Sequence, residues 1–201
     1  MKLTCESPHL EEYLLELDVV DYGHPLIREK AEELFSGSLN ELEIIRTVFE
    51  FVRDGIAHSN DIPSLRVTCK ASEVLQFKEG ICYAKSNLLA ALLRSKGIPT
   101  GFCYQRLTKG DTPDTGYCIH ALNAVYLKTY ERWIRLDARG NKEGVNAQFS
   151  IDEEILAFPV RKEYDEIDYP VIYAKPQPGT ISALEQNSSC QMLMDNLPTE
   201  L

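Results

Sequence analysis

The sequence predicts an α+β domain, with a helical N-terminal part leading into an antiparallel sheet. Three observations carry this. Two amphipathic helical patterns lie before residue 55, an apolar helix with strong boundary signals begins at Cys82, and three strand-like runs follow it with turn-rich joints.

Taken in order, Pro25 to Phe35 spaces Leu26, Ile27, Ala31, Leu34 and Phe35 at helical intervals, starting at a proline and stopping before Gly37. Asn40 is placed to cap a second helix, Glu41 to Arg53, in which Leu42, Ile44, Ile45, Val48, Phe49 and Val52 form one buried stripe. Asp54-Gly55 ends it. Residues 56–68 read as a loop, and a short helix is expected from Ser72. The central helix runs from Cys82 to Lys96 and closes on Lys96-Gly97-Ile98-Pro99, a glycine C-cap with proline beyond. Its second half is apolar all round, which predicts deep burial. The strands expected are Gly101 to Leu107, Tyr117 to Leu127 and Arg132 to Ala138. Farther on, Asp152 to Phe158 is expected to form a short helix. The stretch holding Tyr164, Tyr169 and Tyr173 reads as irregular, and Thr180 to Leu193 reads as one terminal helix capped by Thr180. A single domain over 1–201 is expected, its core roughly 40–140, with 176–201 as a C-terminal extension.

The chemistry concentrates on three residues. Cys82 opens a helix directly after Glu79-Gly80-Ile81, where unpaired N–H groups and a partial positive charge favour a thiolate. His120 and Asp137 follow, each in a strand candidate. On the middle strand His120 shares a face with Cys118, Leu122, Ala124 and Tyr126; on the last, Asp137 shares one with Trp133 and Arg135. A tight connection centred on Lys128-Thr129 sets His120 opposite Asp137. Thiol, imidazole and carboxylate are the parts of a cysteine acyl-transfer site. The Cys82 N–H is a natural oxyanion donor, and Gln76 and His58 are candidates for a second one. The same residues have plainer readings: a buried cysteine, a satisfied core histidine, a solvated glutamine and a loop cap.

Composition bounds the alternatives. The 201 residues are 44% hydrophobic and 26% charged, with a formal net charge of −10, which disfavours nucleic acid or an anionic membrane as partner. Neither a signal peptide nor an apolar run of bilayer length is visible, so the expected location is cytoplasmic, with the six cysteines reduced. No C-x-x-C pair occurs. Cys118-Ile-His120 lacks a second ligand pair, so no metal is expected. No calcium loop of EF-hand form occurs either.

Gly80-Ile-Cys82, the helix ending Ala91-Leu-Leu-Arg-Ser-Lys-Gly-Ile-Pro99, Phe51-Val-Arg-Asp54, Ala71-Ser-Glu-Val-Leu75, His120-Ala-Leu-Asn-Ala-Val-Tyr-Leu127 and Trp133-Ile-Arg-Leu-Asp-Ala138 together resemble the transglutaminase-like superfamily, which includes microbial cysteine-peptidase-like homologues. The resemblance covers roughly residues 48–140. It implies a papain-like core, with a nucleophile-bearing helix packed on the sheet. By motif position it implies Cys82 as nucleophile, His120 as base and acid, and Asp137 as the histidine's orienting partner. The activity implied is cysteine-dependent acyl transfer on a peptide, protein or small amide through a thioester, without a cofactor. Many members carry Trp after His-Ala and an acid two residues on; Leu122 and Ala124 stand there in this chain. That departure favours hydrolysis over transamidation. The alternative is a catalytically silent peptide-binding or scaffold module with the same fold.

Overall fold

The computed structural model describes residues 1–37 and 40–201. Six α-helices occur among them: α1 (Pro25–Leu34), α2 (Glu41–Gly55), α3 (Ala71–Phe77), α4 (Cys82–Arg94), α5 (Pro178–Gln186) and α6 (Cys190–Asp195). Eight strands accompany them. β1 (Thr4–Cys5) pairs in parallel with β8 (Val171–Ile172), and β2 (Ala57–His58) with β3 (Glu79–Gly80). β4 (Thr100–Thr108), β5 (Tyr117–Leu127), β6 (Arg132–Leu136) and β7 (Ile167–Asp168) form an antiparallel sheet in the order β6-β5-β4-β7.

Local signals set the helix ends. Asn40 Oδ1 accepts the Glu43 N–H at 3.0 Å while Glu43 Oε2 accepts the Asn40 N–H at 2.8 Å, a capping box that starts α2. At the end of α4, Gly97 takes φ +69°. Its N–H then reaches Arg94 O at 2.9 Å and Ile98 N–H reaches Leu93 O at 3.2 Å, the paired bonds of a Schellman motif. Every residue of α4 from Tyr83 to Arg94 is buried. Its leucines share the main core with α2 and with Ile119, Ala121, Val125 and Leu127 of β5. A second, smaller core on the other side of the sheet joins Tyr13, Cys103, Leu122, Ala124, Ile172 and Ala174.

Several expectations give way to longer-range forces. The β5–β6 connection has four residues rather than two, because Lys128–Tyr130 make a 3-10 turn and Glu131 takes φ +50°. Glu41 at the start of α2 holds this turn by accepting the N–H groups of Lys128 and Thr129 at 3.2 and 3.3 Å. Asn123 therefore opposes Leu136, and the ladder is shifted by two residues from the expected register. An even shift keeps every side chain on its face. The bodies of the α4 leucines lie against the odd-numbered side of β5, and His120 is on the other.

No helix forms at Asp152–Phe158. That segment is a series of bends with one bridge, Gln148 N–H bonded to Ile155 O at 2.9 Å, and with Ala157 N–H committed to the Asp137 carboxylate. The stretch read as irregular contains β7 and β8, too short to show a pattern. The terminal helix is two helices. Pro178 occupies the first turn of α5, Thr180 bonds Gln177 O rather than capping, and Ser189 Oγ caps α6 by accepting Met192 N–H at 3.3 Å.

Candidate active site

Cys82 is the first residue of α4, after Ile81, whose side chain supplies no cap. The N–H groups of this turn have no intrahelical acceptor. Gly80 is needed two residues earlier: a Cβ there would meet Thr68 Oγ1 at 3.0 Å and the Ala84 Cβ at 3.1 Å. The parallel pairing of β2 with β3 sets His58 beside Gly80, which carries His58 to the start of α4.

His120 and Asp137 meet as diagonal neighbours across the shifted register. His120 Nε2 and Asp137 Oδ2 are 2.8 Å apart, and both side chains are buried. Asp137 is held on both oxygens, Oδ1 accepting Arg139 N–H at 3.2 Å and Oδ2 accepting Ala157 N–H at 3.1 Å. Phe158, next in the chain, sets its ring edge-on to the imidazole at 5.1 Å. The segment expected as a helix is therefore what buttresses this pair. Burial disfavours a charged His120 ring, but the Asp137 carboxylate, helped by Cys82, outweighs it and raises the imidazole to about 10. Burial likewise disfavours the Asp137 carboxylate, and the facing imidazole holds its pKa below the usual value. With Nε2 committed to Asp137, Nδ1 is the nitrogen left to serve Cys82, which lines the same cleft as the ring.

Cys82, His58, His120 and Cys118 line one cleft of about 490 Å³. His58 Nδ1 accepts the Asn60 N–H at 3.3 Å. Burial first, and the charge of Arg139 second, hold His58 well below the ordinary imidazole range. The neutral ring then carries its proton on Nε2, as a donor. Gln76 is a correction. It lies exposed on α3 beside a separate surface hollow shared with α1, because the helical period turns Val74 and Leu75 inward and Gln76 outward. Leu122 and Ala124 are buried in the second core, so the positions where this chain departs from the family pattern do not line the cleft.

Other residues of the site carried no sequence signal. Arg139, two residues past Asp137, makes a two-pronged ion pair with Asp61, and Lys142 joins the same carboxylate at 2.7 Å. Burial opposes ionisation of Asp61, yet these two cations hold it at about 2. Lys85, one turn after Cys82, is fully buried and donates to Ile56 O at 2.6 Å and Arg53 O at 3.3 Å, closing the C-terminal end of α2. Burial, with Arg139 adding, brings its ammonium down to about 7. Among the described residues, no group of three or more His, Cys, Asp or Glu side chains is arranged to hold a metal, and no helix is long and apolar enough to cross a membrane.

Comparison with known proteins follows the same lines. The family model of the transglutaminase-like superfamily matches residues 28–138, more than half the chain, and that segment contains Cys82, His120 and Asp137. Among solved structures, a protein from Cytophaga hutchinsonii provisionally assigned as a cysteine protease superposes with a TM-score of 0.52 at 17% identity, over 66% of this chain and 43% of its own. The periplasmic domain of TgpA from Pseudomonas aeruginosa gives 0.46 at 16%, over 64% of this chain and 46% of its own. The chain thus spans less than half the length of either structure, and at these identities the likeness is one of fold. A search of curated proteins finds no match.

Proposed function

The chain belongs to the transglutaminase-like superfamily, and from that premise we propose that it is a cysteine-dependent acyl-transfer enzyme that cleaves an amide through a thioester on Cys82. The observation that carries the reading is the 2.8 Å His120–Asp137 pair, whose imidazole lines the same cleft as Cys82.

His120 Nδ1 holds the proton drawn from the thiol before substrate arrives, and the Asp137 carboxylate favours that imidazolium. Cys82 Sγ bonds to the substrate carbonyl carbon, and the carbonyl oxygen takes up the displaced electron pair. The Cys82 N–H faces that oxygen, a donor of the kind that contributes ~3 kcal/mol, and His58 Nε2–H is the proposed second donor. The C–N bond then breaks as His120 returns its proton to the leaving amine, which leaves the acyl group on sulfur. Water attacks the thioester while His120 accepts its proton; the C–S bond breaks and the thiolate is restored. Water is the acceptor we propose. A reducing compartment suits a nucleophilic thiol with Cys118 in the same cleft, and the cytoplasm is the location we propose.

A panel of amide and ester acyl donors, run with wild type and Cys82→Ala, tests this. Turnover lost in the variant, with an acyl mass adduct mapped to Cys82, is the expected result. Turnover unchanged in Cys82→Ala overturns it, and a chain inert to every donor points to a silent binding module.

A further inference from the structure

The edge of β5 beside the thiol is occupied by the chain itself. β6 pairs with β5 only over Asn123–Leu127, which leaves that edge open toward Tyr117. Ile119 lies in the open part, opposite Arg106 of β4 and directly before His120. Alternate residues of an antiparallel strand turn both backbone groups away from a given neighbour. The Ile119 carbonyl accepts the Tyr83 hydroxyl at 2.7 Å, and the Ile119 N–H donates to the Pro198 carbonyl at 2.8 Å.

The segment that brings Pro198 there leaves the end of α6. Met194 and Leu197 line the same cleft as Cys82 and His120, each half-buried against the main core. Beyond them Glu200 approaches Arg106 at 3.9 Å. Its hold on the cleft comprises one backbone hydrogen bond, two apolar side chains and one long, solvent-facing ion pair. Exposed pairs of that kind contribute little. The elements are those by which extended peptides are recognised: a main-chain bond to a sheet edge, an apolar anchor, and a charge at the rim. The cleft wall carries Lys109, Arg139, Lys142 and Arg161 beside Asp111 and Glu166, with Arg161 paired to Glu166 and both Arg139 and Lys142 to Asp61, so the charge preference rests on Arg106.

We propose that the part of this segment beyond α6, from Leu197 to Glu200, occupies the seat of the substrate, and that the substrate is an extended peptide that displaces it. Such a peptide carries a Leu- or Met-sized residue where Leu197 now lies and an acidic residue toward Arg106, and its backbone carbonyl takes the Ile119 N–H. This assignment of substrate class rests on the acyl-transfer reading above. The segment is then a competitor in cis. If it fills the seat ~90% of the time, the apparent affinity for an incoming peptide drops ~tenfold.

The test uses the full chain and a fluorescein-labelled peptide with the sequence of residues 194–200. Leu197→Glu in the protein removes the apolar anchor and frees the seat. The expected results are peptide binding by polarisation ~tenfold tighter than to wild type, faster iodoacetamide labelling of Cys82, and suppression of that labelling by added peptide. The peptide with its own Leu replaced by Glu does not bind. A folded Leu197→Glu protein that neither binds the peptide nor labels faster overturns the proposal. Should that variant unfold, amide exchange of wild type decides: an Ile119 N–H that exchanges far faster than Val125 supports release of the segment, and equal protection overturns it. Neither readout needs turnover. Binding without turnover on any donor leaves the docking site standing and removes the acyl-transfer reading; Cys82-dependent turnover with no binding does the reverse.

Discussion

Replacing Asp137 with Asn strikes the centre of the site with almost no change of shape. The carboxylate accepts three hydrogen bonds, two on Oδ2 from His120 and Ala157 and one on Oδ1 from Arg139. An amide has a single acceptor oxygen. With nitrogen at the Oδ2 position two donors face it; at the Oδ1 position only the Arg139 N–H does, so the second orientation prevails. One buried N–H then loses its acceptor, at a cost of ~1–3 kcal/mol, and the bond to His120 loses its charge assistance, about another 1 kcal/mol. A loss of roughly 2–4 kcal/mol leaves a domain of ordinary stability, ~5–15 kcal/mol, still folded. The expected fall in Tm is roughly 5–15 °C. The effect on the imidazole is larger. Burial is the main force on His120, and without Asp137 only Cys82 opposes it, so the ring leaves its value of about 10 and titrates far lower. Activity falls by up to ~10⁴ in kcat/KM, the scale of the same change in a serine-protease triad, because the imidazolium loses the carboxylate that stabilises it. NMR of the ring carbon of His120 between pH 5 and 11, together with kinetics on the best acyl donor, checks both. A ring that still titrates near 10 in Asp137→Asn, or a kcat/KM within ~tenfold of wild type, refutes the reasoning.

Three further outcomes are expected. Limiting iodoacetamide with peptide mapping labels Cys82 first, since burial raises the other five thiols, Cys118 to about 11 and Cys69 and Cys103 to about 12; preferential labelling at Cys118 removes Cys82 from its role. His120→Ala abolishes activity and also lowers stability by ~1–3 kcal/mol, because the Asp137 carboxylate stays buried without its partner; denaturant melts that match wild type contradict that placement. Lys85→Met changes the pH profile of stability. The depressed Lys85 pKa makes wild-type stability rise as pH climbs from about 7 to 10.5, whereas the raised His120 pKa makes it fall between 6.5 and about 10. With Lys85 gone only the fall remains, and a thermal-melt series that stays flat or rises from pH 7 to 10 counts against it.

What the sequence determined by itself was whatever a few neighbouring residues decide. Asn40 with Glu43, Gly97 before Pro99, and the apolar girdle of α4 specify helix ends and burial through bonds closed within four or five residues. The span Tyr117–Leu127 was legible for the same reason. So was the shared face of His120 and Asp137, because strand alternation survives any even shift of register. The register itself was not legible, since the turn that sets it is held by Glu41, nearly ninety residues away. The same holds for Gln76 and His58. Nothing local distinguishes them, but helix phase turns one to solvent while the β2–β3 pairing brings the other to Cys82. Residues 152–158 had helical composition and gave their backbone instead to Asp137 and to the bridge at Gln148. The Arg139–Asp61–Lys142 cluster, the buried Lys85 and the segment 194–200 in the cleft depend on contacts between distant parts of the chain. Those contacts become favourable only once packing has excluded water from the groups involved, and for that reason the tertiary structure alone decided them.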